Sequence, residues 1–278
     1  MMMGCHRALL SLAVVVVAAR ALVAPSGLRP RPALRATVQR AEGGEGWASR
    51  PSVPELEQAR AVTPADERVP WDWRRFLTQS KEFVSLPSFA APKAARVLRP
   101  GDSLGALDLF PLDDVVMGGA SASTFDNAAR RWTGTVTTRN SGGFVGVRSR
   151  TLSPPLDASR ASGLSLTIRS AAALRYKVVL RDSTDFNGVA HTASFDVRGA
   201  PPRNVFGRSR DPAPQKIDVP FDSFVPTIFA RTVPDAALDL AGIVAVQFAL
   251  SKFEYDGGLS PLFREGPFDL EIVDIAVY

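Results

Sequence analysis

Cysteine and histidine are nearly missing from this chain. Among its 278 residues there is one cysteine, Cys5, and there are two histidines, His6 and His191. Past residue 6, no disulfide, thiol nucleophile, thiolate zinc site or multi-histidine zinc site can be built within one chain. A serine–histidine–aspartate arrangement would have to use His191. Long apolar runs are missing as well: the longest, residues 8–19, is broken by Ser11 and is shorter than the ~20 residues a bilayer-spanning helix needs. The glycines of Gly142-Gly143-Phe144-Val145-Gly146 match neither G-x-G-x-x-G nor a Walker sequence, and read as a turn between strands. No catalytic, metal-binding or cofactor-binding residue is therefore assigned.

A real core is within reach, with 45% hydrophobic residues and a mean hydropathy of +0.02. Charge is unevenly placed. Residues 1–41 hold six arginines and no acid, so residues 42–278 carry 27 basic against 28 acidic residues, a charge of −1. The overall excess of +5 thus resides in the leader. With no basic-aromatic cluster beyond it, direct high-affinity contact with nucleic acid is not expected.

The leader reads in two parts. Residues 1–24 have a basic n-region with Arg7, an apolar h-region and small residues after it, the pattern of a secretory signal. Residues 22–40 are rich in Arg, Ala and Pro, as a transit peptide is. Together they resemble the bipartite presequence of algae with complex plastids, with Ala21-Leu22-Val23-Ala24-Pro25 at the cleavage region. A plastid destination is the expectation, with the mitochondrion and simple secretion as alternatives.

Residues 42–70 show no apolar period and read as a flexible linker, followed by a helix and connector over 71–103. Trp73, Phe76, Leu77, Phe83 and Val84 share one helical face, between Pro70 and Pro87, with Asp72 in the first turn. Such a short amphipathic helix either docks a partner or packs on its own domain. The second is the plainer account, and Trp71 and Trp73 are candidate contact residues for the first.

From 104 to 278 the pattern turns to short alternating runs bounded by Gly, Pro, Asn and Asp. Leu164, Leu166 and Ile168 alternate, as do Tyr176, Val178 and Leu180, then Ala193, Phe195 and Val197, and Val244, Val246, Phe248 and Leu250. About nine strands with no βαβ alternation predict an all-β sandwich or jelly roll.

Several stretches in this region are recognisable as a set. They are Leu112-Asp113-Asp114-Val115-Val116-Met117-Gly118-Gly119-Ala120-Ser121, Trp132-Thr133-Gly134-Thr135-Val136 and Asn140-Ser141-Gly142-Gly143-Phe144. Val219-Pro220-Phe221-Asp222-Ser223-Phe224 and Ser251-Lys252-Phe253-Glu254-Tyr255-Asp256-Gly257 follow. Their order and spacing resemble the complex I intermediate-associated protein 30 family, over roughly 104–278, and the last stretch resembles its plant and algal branch. The resemblance implies a galactose-binding-like jelly roll. It also implies a non-catalytic assembly chaperone for an organellar electron-transport complex, with protein subunits or assembly intermediates as partners. One departure is Ala171-Ala172-Ala173-Leu174-Arg175 before Tyr176, where family members often carry Gly-Asp-Gly. A carbohydrate-binding module is the alternative that the fold alone suggests.

The motif residues have plain structural readings. Met117-Gly118-Gly119 makes a tight turn, with Asp113 and Asp114 bonding its amides or holding a cation. Asn140 begins a hairpin connection. Arg148, Arg181, Asp182, Asp185 and Asn187 form a polar group suited to a ligand, a client or a cross-strand ion pair. Lys252, Glu254 and Asp256 alternate as the solvated side of a strand and could form a partner-facing rim. The candidate contact set is thus Trp71, Trp73, Asp114, Met117, Gly118, Gly119, Asn140, Arg148, Arg181, Asp182, Lys252, Glu254 and Asp256.

Overall fold

A computed structural model describes residues 68–82, 93–185, 187–199 and 212–278. The leader and most of the linker lie outside these residues, as do Phe83, Val84 and Pro87 of the expected helix.

One helix, α1 (Trp73–Glu82), precedes the strands. Asp72 sits just before it rather than in its first turn: its carboxylate accepts the Arg75 amide at 2.9 Å and caps the helix. In chain order the strands are β1 (Arg96–Val97), β2 (Leu109–Pro111), β3 (Ala122–Asp126), β4 (Arg131–Val136) and β5 (Phe144–Ser149). Then come β6 (Leu156–Asp157), β7 (Gly163–Ser170), β8 (Leu174–Arg181), β9 (Ala190–Val197) and β10 (Gln215–Pro220). The last are β11 (Val225–Ile228), β12 (Arg231–Thr232), β13 (Ala245–Ser251) and β14 (Gly266–Val277).

Two antiparallel sheets face each other in a jelly-roll sandwich. One has the order β10-β7-β14-β4-β3, the other β12-β11-β9-β8-β13-β5-β2, and β1 and β6 form a separate parallel pair. The all-β expectation holds. The expected nine strands become fourteen among the described residues, because strands as short as β1, β6 and β12 are too brief to carry an alternation signal.

The alternation read from the sequence is the alternation of the core. Leu174, Tyr176, Val178 and Leu180 of β8 and Val246, Phe248 and Leu250 of β13 face Leu164, Leu166 and Ile168 of β7. On β14 the buried set moves from Phe268, Leu270 and Ile272 to Ile275 and Val277. The register shift between Ile272 and Asp274 produces that change of parity. Trp132 lies at the centre, fully buried, with Phe268 edge-on at 4.9 Å and Tyr176 at 6.1 Å.

Because Trp132 fills the space between the sheets, Trp132→Ala is expected to cost ~3–5 kcal/mol. The measurement is the urea midpoint at unchanged slope. Trp132→Phe keeps a ring against Phe268 and should cost less. A loss below ~1 kcal/mol for the alanine variant would remove Trp132 from the core.

Candidate functional site

The Asp113-Asp114 pair opens a 3-10 turn, Asp114–Met117, directly after β2, and both carboxylates are buried. Neighbours in such a turn point different ways, so each serves a different part of the fold. Asp113 turns toward α1. Its carboxylate accepts the Ser123 amide and hydroxyl at 2.8 and 2.6 Å, Gln79 Nε2 at 2.8 Å and Arg75 Nη2 at 3.2 Å. Its amide donates to Gln79 Oε1 at 2.9 Å, so Gln79 pairs with both sides of one residue. Phe76 is buried beside this contact, and the Trp71 indole donates to the Val115 carbonyl at 2.8 Å. The helix packs on its own domain.

Asp114 turns toward the second motif. It accepts the Ser121 amide and hydroxyl at 2.9 and 2.7 Å, and the amides of Gly143 and Phe144 at 2.8 and 3.2 Å. Burial pushes both carboxyls above the usual carboxylate range, while these donors pull the other way. Gly118 takes the left-handed backbone expected of it, with φ 91°. Gly119 and Gly142 answer to a different need. A Cβ on Gly119 would lie 2.3 Å from the Asp114 carboxyl carbon, and one on Gly142 would lie 2.4 Å from an Asp114 oxygen. The two motifs are halves of one carboxylate cradle.

Asn140, with φ 56°, extends the cluster. Its amide group accepts from the Val69 amide at 3.0 Å and donates to the Val69 and Gly118 carbonyls at 2.8 and 3.1 Å. Val69, which composition places in the linker, is thereby tied to the sandwich. Thus Trp71, Asp114, Met117, Gly118, Gly119 and Asn140 do come together, with Trp73 on the adjoining helix. The surface they present is apolar: Trp71 is 49% exposed, Trp73 55% and Met117 55%.

The remaining candidates lie elsewhere. Outward residues of β5, β13, β8 and β9 make the second face of the seven-stranded sheet, and Arg148, Lys177 and Arg181 are buried there. Burial and the nearby Arg181 bring Arg148 down to about 10. Arg181 donates to the carbonyls of Asp185 and Gly188, tying down their loop. Asp182 accepts the Asp239 amide at 2.9 Å and lies 3.6 Å from His191 Nε2, whose burial favours the neutral ring.

The expected solvated strand through Lys252, Glu254 and Asp256 is a correction. β13 stops at Ser251, and the following residues cross the sheet face as a strap. Lys177 Nζ donates to the Phe253 and Glu254 carbonyls, each at 2.7 Å. Glu254 meets Arg175 Nε at 3.1 Å and the Ser194 hydroxyl, and the Tyr255 hydroxyl donates to the Thr192 carbonyl at 3.0 Å. Asp256 accepts the Thr232 amide at 2.9 Å and its hydroxyl at 2.7 Å. Glu254 and Asp256 are thus engaged internally. The Lys252 amide joins the strap to the Gly143 carbonyl at 2.8 Å.

Arg75, Gln79 and Ser123 escaped the sequence reading, which has Ser121 in a motif but assigns it no role. The alternation of Ser121 and Ser123 after two aspartates was the available signal. Among the described residues no group of three or more His, Cys, Asp or Glu is placed to hold a metal ion.

The motif residues of this jelly roll build a framework that fixes a helix and two loops to the sandwich. Residues 106–272 match the family model described as complex I intermediate-associated protein 30, and the chain belongs to that family. No curated protein matches it. Among solved structures, it is similar to a family 11 carbohydrate-binding module from Clostridium thermocellum in complex with a β-1,3-1,4-mixed-linked tetrasaccharide. That likeness has 16% identity over 65% of this chain and 92% of the other, with a TM-score of 0.39. The corresponding module of the cellulosomal cellulase Lic26A-Cel5E from the same organism gives 16%, 66%, 94% and 0.38. An exo-β-agarase gives 11%, 61%, 24% and 0.34. The fold assignment here stands on strand order and register.

Gly142→Ala is expected to destabilise by ~1–3 kcal/mol, because its methyl group overlaps Asp114. Combined with Asp114→Ala the two costs should be less than additive, read from a double-mutant denaturation cycle. Full additivity would dissolve the cradle.

Lys177 supplies a pH test. Burial brings its ammonium down to about 8 from the ordinary 10.5, with Glu254 opposing and Arg175 reinforcing the shift. Between these values the unfolded chain holds the proton and the folded protein does not, so this group's contribution rises with pH across that window and is lost as pH falls through about 8. Lys177→Met should flatten that rise in stability curves across the window. An unchanged slope would refute the assignment.

Proposed function

We propose that this chain is a non-catalytic assembly factor that binds protein subunits of an organellar electron-transport complex during its biogenesis. Membership of the complex I intermediate-associated protein 30 family supports an assembly role in general terms. The observation that carries the finer reading is the use made of the motif stretches. Asp113, Asp114, Gly119, Gly142 and Asn140 are spent on fixing α1 and two loops into one rigid surface. A preorganised surface suits client binding, because little ordering cost remains to be met on association. The plastid is the proposed compartment and the leader supports it; the mitochondrion is the alternative.

Carbohydrate binding is the less favoured reading. A sheet-face site needs an open face with an aromatic platform, whereas the 252–256 strap lies across this one and fastens to Lys177, Thr192, Ser194 and Thr232.

Native-gel fractionation of the endogenous protein from separated organelles, with mass spectrometry of co-migrating bands, tests the proposal. Co-migration with a subassembly of a membrane complex is expected, and it would name both client and compartment. Migration solely as a monomer after crosslinking would overturn the reading, and a glycan-array screen would then decide on the alternative.

A further inference from the structure

The side chains exposed around α1 have a composition that the assembly reading leaves unexplained. Trp73 and Leu77 lie one turn apart on the helix and are 55% and 37% exposed. Trp71 and Met117, from the two segments that meet through the Trp71–Val115 hydrogen bond, are 49% and 55% exposed. The polar handle of Trp71 is already satisfied by that bond, so the part of the ring facing outward is hydrocarbon. Cations accompany this surface. The Arg74 guanidinium stacks 5.5 Å over the Trp73 ring, and the exposed Arg139 adjoins Asn140, which is bonded to Val69. The neighbouring acid, Asp72, turns its carboxylate onto the helix N-terminus.

Two tryptophans with leucine and methionine, bordered by arginines, combine apolar burial with attraction to negative charge. That pairing is complementary to an anionic bilayer surface, whose headgroups meet the guanidinium groups while the rings enter the interface. No helix among the described residues is long and apolar enough to cross a membrane. Contact made by this surface would therefore be peripheral.

We propose that the α1 surface, Trp71, Trp73, Leu77 and Met117 with Arg74 and Arg139, docks on an anionic lipid bilayer. It goes beyond the client-binding reading: the bilayer holds the domain beside membrane-embedded subunits, and the polar side of the two-loop cluster stays open to protein.

The test uses the full chain with vesicles of phosphatidylcholine, alone or mixed with phosphatidylglycerol, in sedimentation assays. Residues 8–19 are apolar and have lipid affinity of their own, so the readout is the difference between variants that share them. Trp73→Ser/Leu77→Ser/Met117→Ser removes exposed side chains, should leave the melting temperature unchanged, and is expected to weaken vesicle binding roughly tenfold or more. Arg74→Gln/Arg139→Gln should cost roughly fivefold per charge on phosphatidylglycerol vesicles and little on phosphatidylcholine alone. As a second readout, brominated lipid should quench tryptophan fluorescence, and Trp73→Phe should lose part of that quenching. Equal vesicle binding by wild type and both variants would overturn the proposal. A triple variant that keeps its vesicle affinity but no longer co-migrates with a subassembly would also overturn it. That result would make the surface a protein contact and leave the assembly reading standing.

Discussion

The attachment of α1 and of two motif loops to the β-sandwich depends on two adjacent buried carboxylates. Burying one carboxylate is costly unless its oxygens are met by donors, and here two are buried in consecutive residues. Asp113 is met by Ser123, Gln79 and the single cation Arg75; Asp114 is met entirely by neutral donors from Ser121, Gly143 and Phe144. Because the residues are neighbours, the helix contact and the loop contact cannot move independently. A shift of the 3-10 turn would strand both charges at once.

That coupling explains sequence features that otherwise look like a binding loop. Glycine-rich stretches next to aspartates invite a phosphate or cation interpretation. Here the glycines clear space for a carboxylate of the same chain, and the amides that might cradle an anion are already donating to Asp114. The strap after β13 works by the same economy. Lys177 and Arg175 would be surface charges on an open sheet, and the 252–256 segment turns them into fastenings through its carbonyls and Glu254, while its Asp256 takes Thr232.

The fold was legible where burial imposes a period. β7, β8, β9 and β13 alternate over seven or eight residues, and the sequence reading matches their inward sets except at Val244, which precedes β13 and is only half-buried. The short strands were not, since two residues hold no period. The helix could be read from Trp73, Phe76 and Leu77, but not that Gln79 and Arg75 are its attachment: a buried glutamine answering a distant aspartate leaves no local mark. The strap misled for a related reason. Lys252, Glu254 and Asp256 alternate with Phe253 and Tyr255 as a solvated strand would, and only the approach of Lys177 from another strand shows that the alternation serves a crossing segment. The cradle lay between these cases, since an aspartate bonding nearby amides was expected but its partner loop about thirty residues away was not.

Within the first motif stretch the division of labour identifies the residue that packing does not account for. Asp113 holds the helix, Asp114 the second loop, Val115 is core, Gly118 supplies the backbone reversal, Gly119 leaves room for the carboxylate and Ser121 donates to it. Met117 alone in this series projects outward, more than half exposed, from a turn held on both sides by buried charge. A flexible, polarizable side chain on a rigid base suits contact with an apolar surface of imprecise shape, because the base meets the ordering cost while the thioether adapts. Trp71 is built alike, its indole nitrogen fixed to the Val115 carbonyl and its ring half in solvent. The buried aspartates make the platform on which Trp71 and Met117 stand exposed.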